Sequence, residues 1–244
     1  MLLSLWSPKG GSGTSVLAAA CAVVLSADRG TRLVDLDGDQ PAVLGMAYPA
    51  PASNNGAGSE TSRGIRDWLA AGPTAPADAL ARLTVDVAPG LALVPSGASD
   101  RNASGQTGEA GAALGVVLRH EGGAVVADCG RADDAASRAL VEVSDLSVVV
   151  LRPCYLALRR AASDDLVRTA SGIVLVEEQG RALGTREVAD VLGVPVLATV
   201  PVRAAIARVV DAGVLVARLP DALARPVRAL LDRLGVPMSR GHAA

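Results

Sequence analysis

The chain contains no phenylalanine, and aromatic residues fill only 2% of its 244 positions. Its core must therefore be built from Val, Leu, Ile and Ala, in a composition that is 50% hydrophobic with a mean hydropathy of +0.36. Lysine occurs once, at Lys9, and the other 22 basic residues are arginines. There are three cysteines (Cys21, Cys129 and Cys154), with no CxxC pair. That leaves no even disulfide framework, and it fits a reducing cytoplasm. The two histidines, His120 and His242, lie at a helix end and in the tail and offer no metal pair. No apolar run reaches membrane-spanning length. Met1-Leu2-Leu3 enters the first apolar run without a basic leader or cleavage site, so no secretory signal is expected. A net charge of −2 excludes a global basic field for nucleic acid.

What is present is organised around Lys9-Gly10-Gly11-Ser12-Gly13-Thr14-Ser15. An apolar run, Leu2 to Trp6, precedes it, and an Ala-rich helical run, Val16 to Ser26, follows. Strand, glycine loop and helix form the context in which successive N–H groups converge on an anion. The usual phosphate loop, G-x-x-x-x-G-K-[ST], fails twice here. Pro8 stands where its first glycine belongs, and Thr14 fills its lysine slot. Ser15 keeps the position whose hydroxyl coordinates Mg²⁺ in phosphate-loop proteins.

Continuous apolar runs recur at Arg32 to Asp37, Gly90 to Pro95, Ala124 to Asp128, Leu146 to Leu151, Ile173 to Val176 and Val196 to Val200. Runs without alternation belong to parallel strands covered on both faces. Helical patterns separate them, notably Glu109 to His120, Asp133 to Val143, Tyr155 to Thr169, Arg186 to Leu192 and Val202 to Asp211. The prediction is one α/β domain over 1–244, a doubly wound, mostly parallel sheet of about seven strands with helices on both faces. Segments 48–63 and 96–107 read as flexible loops and 236–244 as a tail. Short helices are expected at Gln40 to Gly45, Gly64 to Ala70 and Pro76 to Leu83. The final helix, Asp221 to Leu234, carries Leu223, Val227, Leu230, Leu231 and Leu234 on one side and reads as core packing more than as a membrane anchor. Ligands of such sheets bind outside the carboxyl ends of the strands. The glycine loop, Asp37, Asp128 and Pro201 all fall there.

Lys9-Gly10-Gly11-x-Gly13-x-Ser15 resembles the deviant phosphate loop, K-G-G-x-G-K-[ST], of the MinD/ParA family. Asp35-Leu36-Asp37 is similar to that family's D-x-D, and Asp128-Cys129-Gly130 looks like its second switch. The resemblance implies binding of ATP and Mg²⁺. Phosphates would meet Gly10, Gly11, Ser12, Gly13, Thr14, Ser15 and Gly130, and the base would meet Pro201. The metal would lie near Ser15, Asp35 and Asp128. Asp37 would stand by the attacking water, and Lys9 would reach the partner's nucleotide across a homodimer. Loss of the loop lysine is similar to the CpaE/TadZ and septum-site-determining-like branch, whose members position pili, secretion machinery or the division site. Gly64-Ile65-Arg66-Asp67-Trp68 also matches that branch. The expected protein is cytoplasmic, dimerises around ATP and recruits a protein partner, with peripheral placement at the pole or septum through that partner.

Three departures bear on activity. Thr14 has no charge to offer the phosphates, and losing such a preorganised group costs on the order of 3 kcal/mol in the transition state. Hydrolysis is therefore expected to be weak or absent. Glu177-Glu178-Gln179 stands where the family often has an adenine-contacting Asn, and Pro201-Val202-Arg203 replaces its P-x-D. From Arg203 onward there are seven Arg against three Asp (Asp211, Asp221 and Asp232), which would serve either as solvated helix faces or as a nonspecific DNA surface. Rival readings are a nucleotide-free scaffold, a dinucleotide-binding oxidoreductase domain and an ATP-dependent amide synthetase. The oxidoreductase fingerprint needs glycine where Val16 stands, and the synthetase needs the missing lysine.

Overall fold

In a computed structural model, residues 1–46, 63–97, 104–178, 180 and 183–238 are described. Most of the expected loop 48–63, the centre of the loop 96–107, Gln179 and the end of the tail lie outside them.

The element order is β1 (Leu2–Trp6), α1 (Thr14–Ser26), β2 (Thr31–Asp35), α2 (Gln40–Val43), α3 (Ile65–Ala70), α4 (Ala77–Arg82), β3 (Val85–Ala88), β4 (Leu91–Val94), α5 (Gly108–His120), β5 (Ala124–Asp128), α6 (Ala135–Val143), β6 (Leu146–Leu151), α7 (Tyr155–Ala162), α8 (Asp165–Arg168), β7 (Gly172–Glu177), α9 (Thr185–Leu192), β8 (Val196–Pro201), α10 (Ala204–Asp211) and α11 (Asp221–Arg233). One sheet holds eight strands in the order β3-β4-β2-β5-β1-β6-β7-β8. Seven are the expected parallel strands. The eighth, β3, pairs antiparallel with β4 at the sheet edge. Its four residues, half of them exposed, carry too short a pattern to be read beside the preceding helix.

The central strands β1 and β5 are buried at every residue. A strand covered on both faces needs apolar side chains at successive positions, hence the unbroken Leu, Val and Ala runs. Two apolar cores result. Trp6, Trp68, Leu114 and Leu140 belong to one, beneath α5 and α6. Leu17, Leu25, Leu33 and Leu230 belong to the other, beneath α1 and α11. In α11, Leu223, Val227, Leu230 and Leu231 are buried, so its apolar side is core, as expected. Cys21 is also core, and burial pushes its thiol up to about 12.

The expected helix from Tyr155 to Thr169 is two helices. Asp164 accepts a hydrogen bond from Leu166 N at 3.2 Å and starts α8 afresh, because a side-chain acceptor satisfies an otherwise orphan donor. Strand β2 ends at Asp35, so Asp37 lies in the following turn. Among the described residues, no helix is long and apolar enough to cross a membrane.

Candidate phosphate-binding cleft

The glycine loop leaves β1 and enters α1 through Gly13, whose φ of 89° lies in the left-handed region. A Cβ is strained there, so glycine fits the turn. Leu17 N donates to Gly13 O at 3.0 Å and closes the first helical turn. Ser12 is buried. Its hydroxyl donates to Lys9 O at 2.7 Å and accepts from Ser7 Oγ at 2.8 Å. The Ser12 side chain therefore braces the loop from inside, leaving its backbone to face a ligand. Among the described residues, the N–H groups of Gly11, Gly13 and Thr14 have no protein acceptor, as expected of donors at a helix start.

These residues line a cleft of about 540 Å³ that includes Gly10, Gly11, Ser12, Gly13, Thr14, Ser15, Asp37 and Gly130. The structure thus brings together eight of the residues singled out from the sequence. Pro201 lines a neighbouring apolar cleft of about 200 Å³ with Val176, Val200 and Ile206. Gly13 and Arg152 border both. Lys9 lines neither cleft and makes no ion pair among the described residues.

Asp35 and Asp128 lie behind the loop and are fully buried. Asp35 accepts from Asp37 N at 3.1 Å, Gly38 N at 2.7 Å and Gln40 N at 3.1 Å. Asp128 accepts from Gly130 N at 3.1 Å and from Gln40 Nε2 at 2.7 Å. Burial, with repulsion from Asp128, raises the Asp35 carboxyl to about 7 against the pull of three backbone donors. Burial raises Asp128 to about 6, opposed by Gln40 and Ser15. As placed, Asp128 is linked to the Ser15 backbone through the Gln40 amide, and Asp35 shapes the turn that carries Asp37.

Gly130 has a φ of 54°, and a Cβ there would overlap the Asp37 carboxylate. Its carbonyl accepts from Ser7 N at 2.8 Å, tying the β5–α6 loop to the end of β1. Cys129 is buried beside it, with its thiol held well above the ordinary value by burial. Cys154 is half-buried and packs against the core.

Four further residues in or around the cleft had no role assigned from the sequence. Gln40 bridges Ser15 O at 2.9 Å and Asp128 at 2.7 Å. Arg131 and Arg152 line the cleft, paired with Asp133 and Glu178. Arg66 is fully buried. It donates to Leu36 O at 2.6 Å, Gln106 at 2.9 Å and Asp134 at 3.0 Å, joining the β2–α2 turn to the start of α6. Burial opposes ionisation of Asp134, but Arg66 and the Ser137 N–H outweigh it and hold its carboxyl below the ordinary value. In sequence, Arg66 is visible only as part of the Gly64 to Trp68 motif. Arg152 is visible only as part of Arg152-Pro153, one of the stretches that carry the resemblance, and Gln40 and Arg131 leave no pattern signal.

The oxygen donors at the cleft suit a hard cation that keeps several waters and leans on ligand phosphates, as Mg²⁺ does. Ser15 faces the cleft with Asp128 behind it, and the one nearby thiol is buried away. Among the described residues, no group of three His, Cys, Asp or Glu gathers as a self-sufficient metal centre.

No protein-family model and no curated protein matches the chain. Solved structures do. A ParA family ATPase from Chlorobium tepidum superposes with a TM-score of 0.73 at 23% identity, over 94% of this chain and 98% of that one. The septum site-determining protein MinD from Pyrococcus horikoshii, complexed with Mg-ADP, gives 0.70 at 19%, over 96% and 95%. McdA from Cyanothece in complex with ATP gives 0.73 at 15%, over 97% of each chain. The chain therefore has the α/β fold of the ParA and MinD ATPases, with its glycine loop at the carboxyl ends of the central strands.

Proposed function

We propose that this chain is a nucleotide-binding switch protein. It binds Mg·ATP in the glycine-loop cleft, dimerises across that face and recruits a protein partner that positions a cellular machine, with weak or absent hydrolysis. One observation carries the reading. The unsatisfied N–H groups of the loop, the Ser15 hydroxyl and Gly130 converge on a single cleft at the ends of β1 and β5. Ser15 would hold the metal, with Asp128 behind it. The cation would supply charge neutralisation to the phosphates. Asp37 lines the same cleft, in reach of a water at the outer phosphate. Thr14 offers no charge there, which is why turnover is low. The neighbouring apolar cleft with Pro201 would take the base. Lys9, which makes no ion pair among the described residues, would contact a second copy. The protein would work in the cytoplasm, and the loss of the loop lysine favours a role of the CpaE/TadZ kind at a pilus, secretion system or septum.

Titration of the purified protein with Mg·ATP in a calorimeter, with ADP as control, tests the reading. Micromolar ATP binding supports it. No binding by a folded protein sinks it and favours a second reading, a scaffold of the same fold without ligand. Two observations favour that alternative. The Gln40 amide already occupies an Asp128 oxygen, and Thr14 stands in the lysine slot.

A further inference from the structure

The cleft is short of positive charge where a polyphosphate needs it. Its lining includes the carboxylates Asp37, Asp39 and Asp211 against two cations, Arg131 and Arg152. The glycine loop adds N–H dipoles but no cation, and Lys9 does not line the cleft. Arg152 sits at the far rim, shared with the apolar cleft, and its Nη1 lies 2.8 Å from Glu178.

Arg131 is placed differently. It follows Gly130 in the β5–α6 loop, and its side chain lies across the glycine loop. A Cβ built on Gly10 would stand 3.3 Å from Arg131 Cδ. The backbone on both sides of Arg131 is fixed. Gly130 N donates to Asp128 at 3.1 Å, and Ala132 N donates to Cys129 O at 2.8 Å. Ala132 is itself buried at a φ of 46°, the one non-glycine in the left-handed region among the described residues. That conformation persists only where its surroundings enforce it. The guanidinium beyond this rigid root is half exposed and paired with Asp133, also half exposed. A surface pair of this kind is weak and exchanges readily.

We propose that Arg131 supplies, from within the same chain, the positive charge missing at Thr14, leaving Asp133 to pair with the terminal phosphate of a nucleoside triphosphate. The proposal rests on the nucleotide-switch reading and deepens it. The arginine fork grips phosphate oxygens bidentately, which a lysine does not. Because Arg131 comes from the loop that begins with Gly130, it reads the outermost phosphate, so it discriminates triphosphate from diphosphate. Arg131 also borders the adjoining groove of Arg138, Arg159 and Arg160, so its departure from Asp133 changes that surface when the ligand arrives.

The test is calorimetric titration of Mg·ATP and Mg·ADP into the wild type, Arg131→Gln, Arg131→Lys and the double variant Arg131→Gln with Thr14→Lys. Arg131→Gln is expected to weaken ATP by about tenfold or more, the worth of one charge-assisted contact, and ADP by less than about threefold. Arg131→Lys recovers part of the loss. Thr14→Lys restores ATP affinity in the Arg131→Gln background by a larger factor than it adds to the wild type. Wild-type ATP binding that survives Arg131→Gln unchanged, or an equal loss for ATP and ADP, overturns the proposal and leaves the switch reading standing. A loss that Thr14→Lys does not repair assigns Arg131 to loop structure and also overturns it. Wild type that binds neither nucleotide overturns both.

Discussion

Asp35 and Asp128 are register partners on adjacent parallel strands, side by side and sealed from solvent. Both are raised from 3.8, Asp35 to about 7 and Asp128 to about 6. A carboxyl raised on folding holds its proton more tightly in the native state. Its contribution is therefore full below the unfolded value and is lost as pH climbs through the folded one. In metal-free buffer the melting temperature should fall as pH rises from about 4 to about 7. Asp35→Asn should flatten that slope even though it lowers the melting temperature overall. Equal slopes in the two proteins would show that the pair does not titrate in this window.

Thr14→Lys restores the charge at the helix start. The variant should hydrolyse Mg·ATP about a hundredfold faster than the wild type, the scale of one preorganised phosphate contact. Phosphate release in single-turnover assays reads this out. An unchanged rate in a folded variant would place the defect elsewhere, with the Gln40–Asp128 contact as the first suspect.

Lys9→Ala should leave the melting temperature unchanged, because Lys9 makes no ion pair among the described residues. It should abolish ATP-dependent dimerisation in sedimentation velocity. A dimer that persists in the variant removes Lys9 from the interface.

Arg66→Met leaves Asp134 buried without its cation and strips Leu36 O of its donor. Breaking a buried pair from one side costs about 3–5 kcal/mol. Denaturant midpoints measure that loss. A shift below about 1 kcal/mol would mean that the neighbouring loops relax to water.

Gly130→Ala forces a left-handed residue to carry a Cβ and drives it into Asp37. The conformational part alone costs about 1–2 kcal/mol. Nucleotide affinity should fall in the same variant, because the carboxylate and the loop N–H move together. Loss of stability with intact affinity would separate Gly130 from the ligand.

The sheet was legible because parallel strands announce themselves. Buried on both faces, β1, β5 and β6 have to be apolar at consecutive positions. The antiparallel edge β3 escapes that rule, since half of it is exposed. The break between α7 and α8 was hidden in a continuous helical pattern that only the Asp164 cap interrupts. Within the site, the glycines and Ser15 follow from backbone geometry and local spacing, which sequence records. The roles of Gln40, Arg66 and Arg131 come from strands and loops distant in the chain meeting at one sheet end, and no local pattern encodes that.

The strand order has a consequence for how the cleft comes into being. Strand β1 neighbours β5 and β6, and it never pairs with β2, the strand that follows it in the chain. A chain emerging from a ribosome therefore makes the glycine loop early but has to wait for Val125 before Leu2 finds its neighbour. Closing so long a loop is entropically costly and slow. Gly130 and Arg131 follow immediately after β5, so the cleft closes only once the middle of the sheet has zipped together. Nascent and truncated chains that stop before β5 carry the loop but no cleft, and nucleotide should neither bind them nor speed their folding.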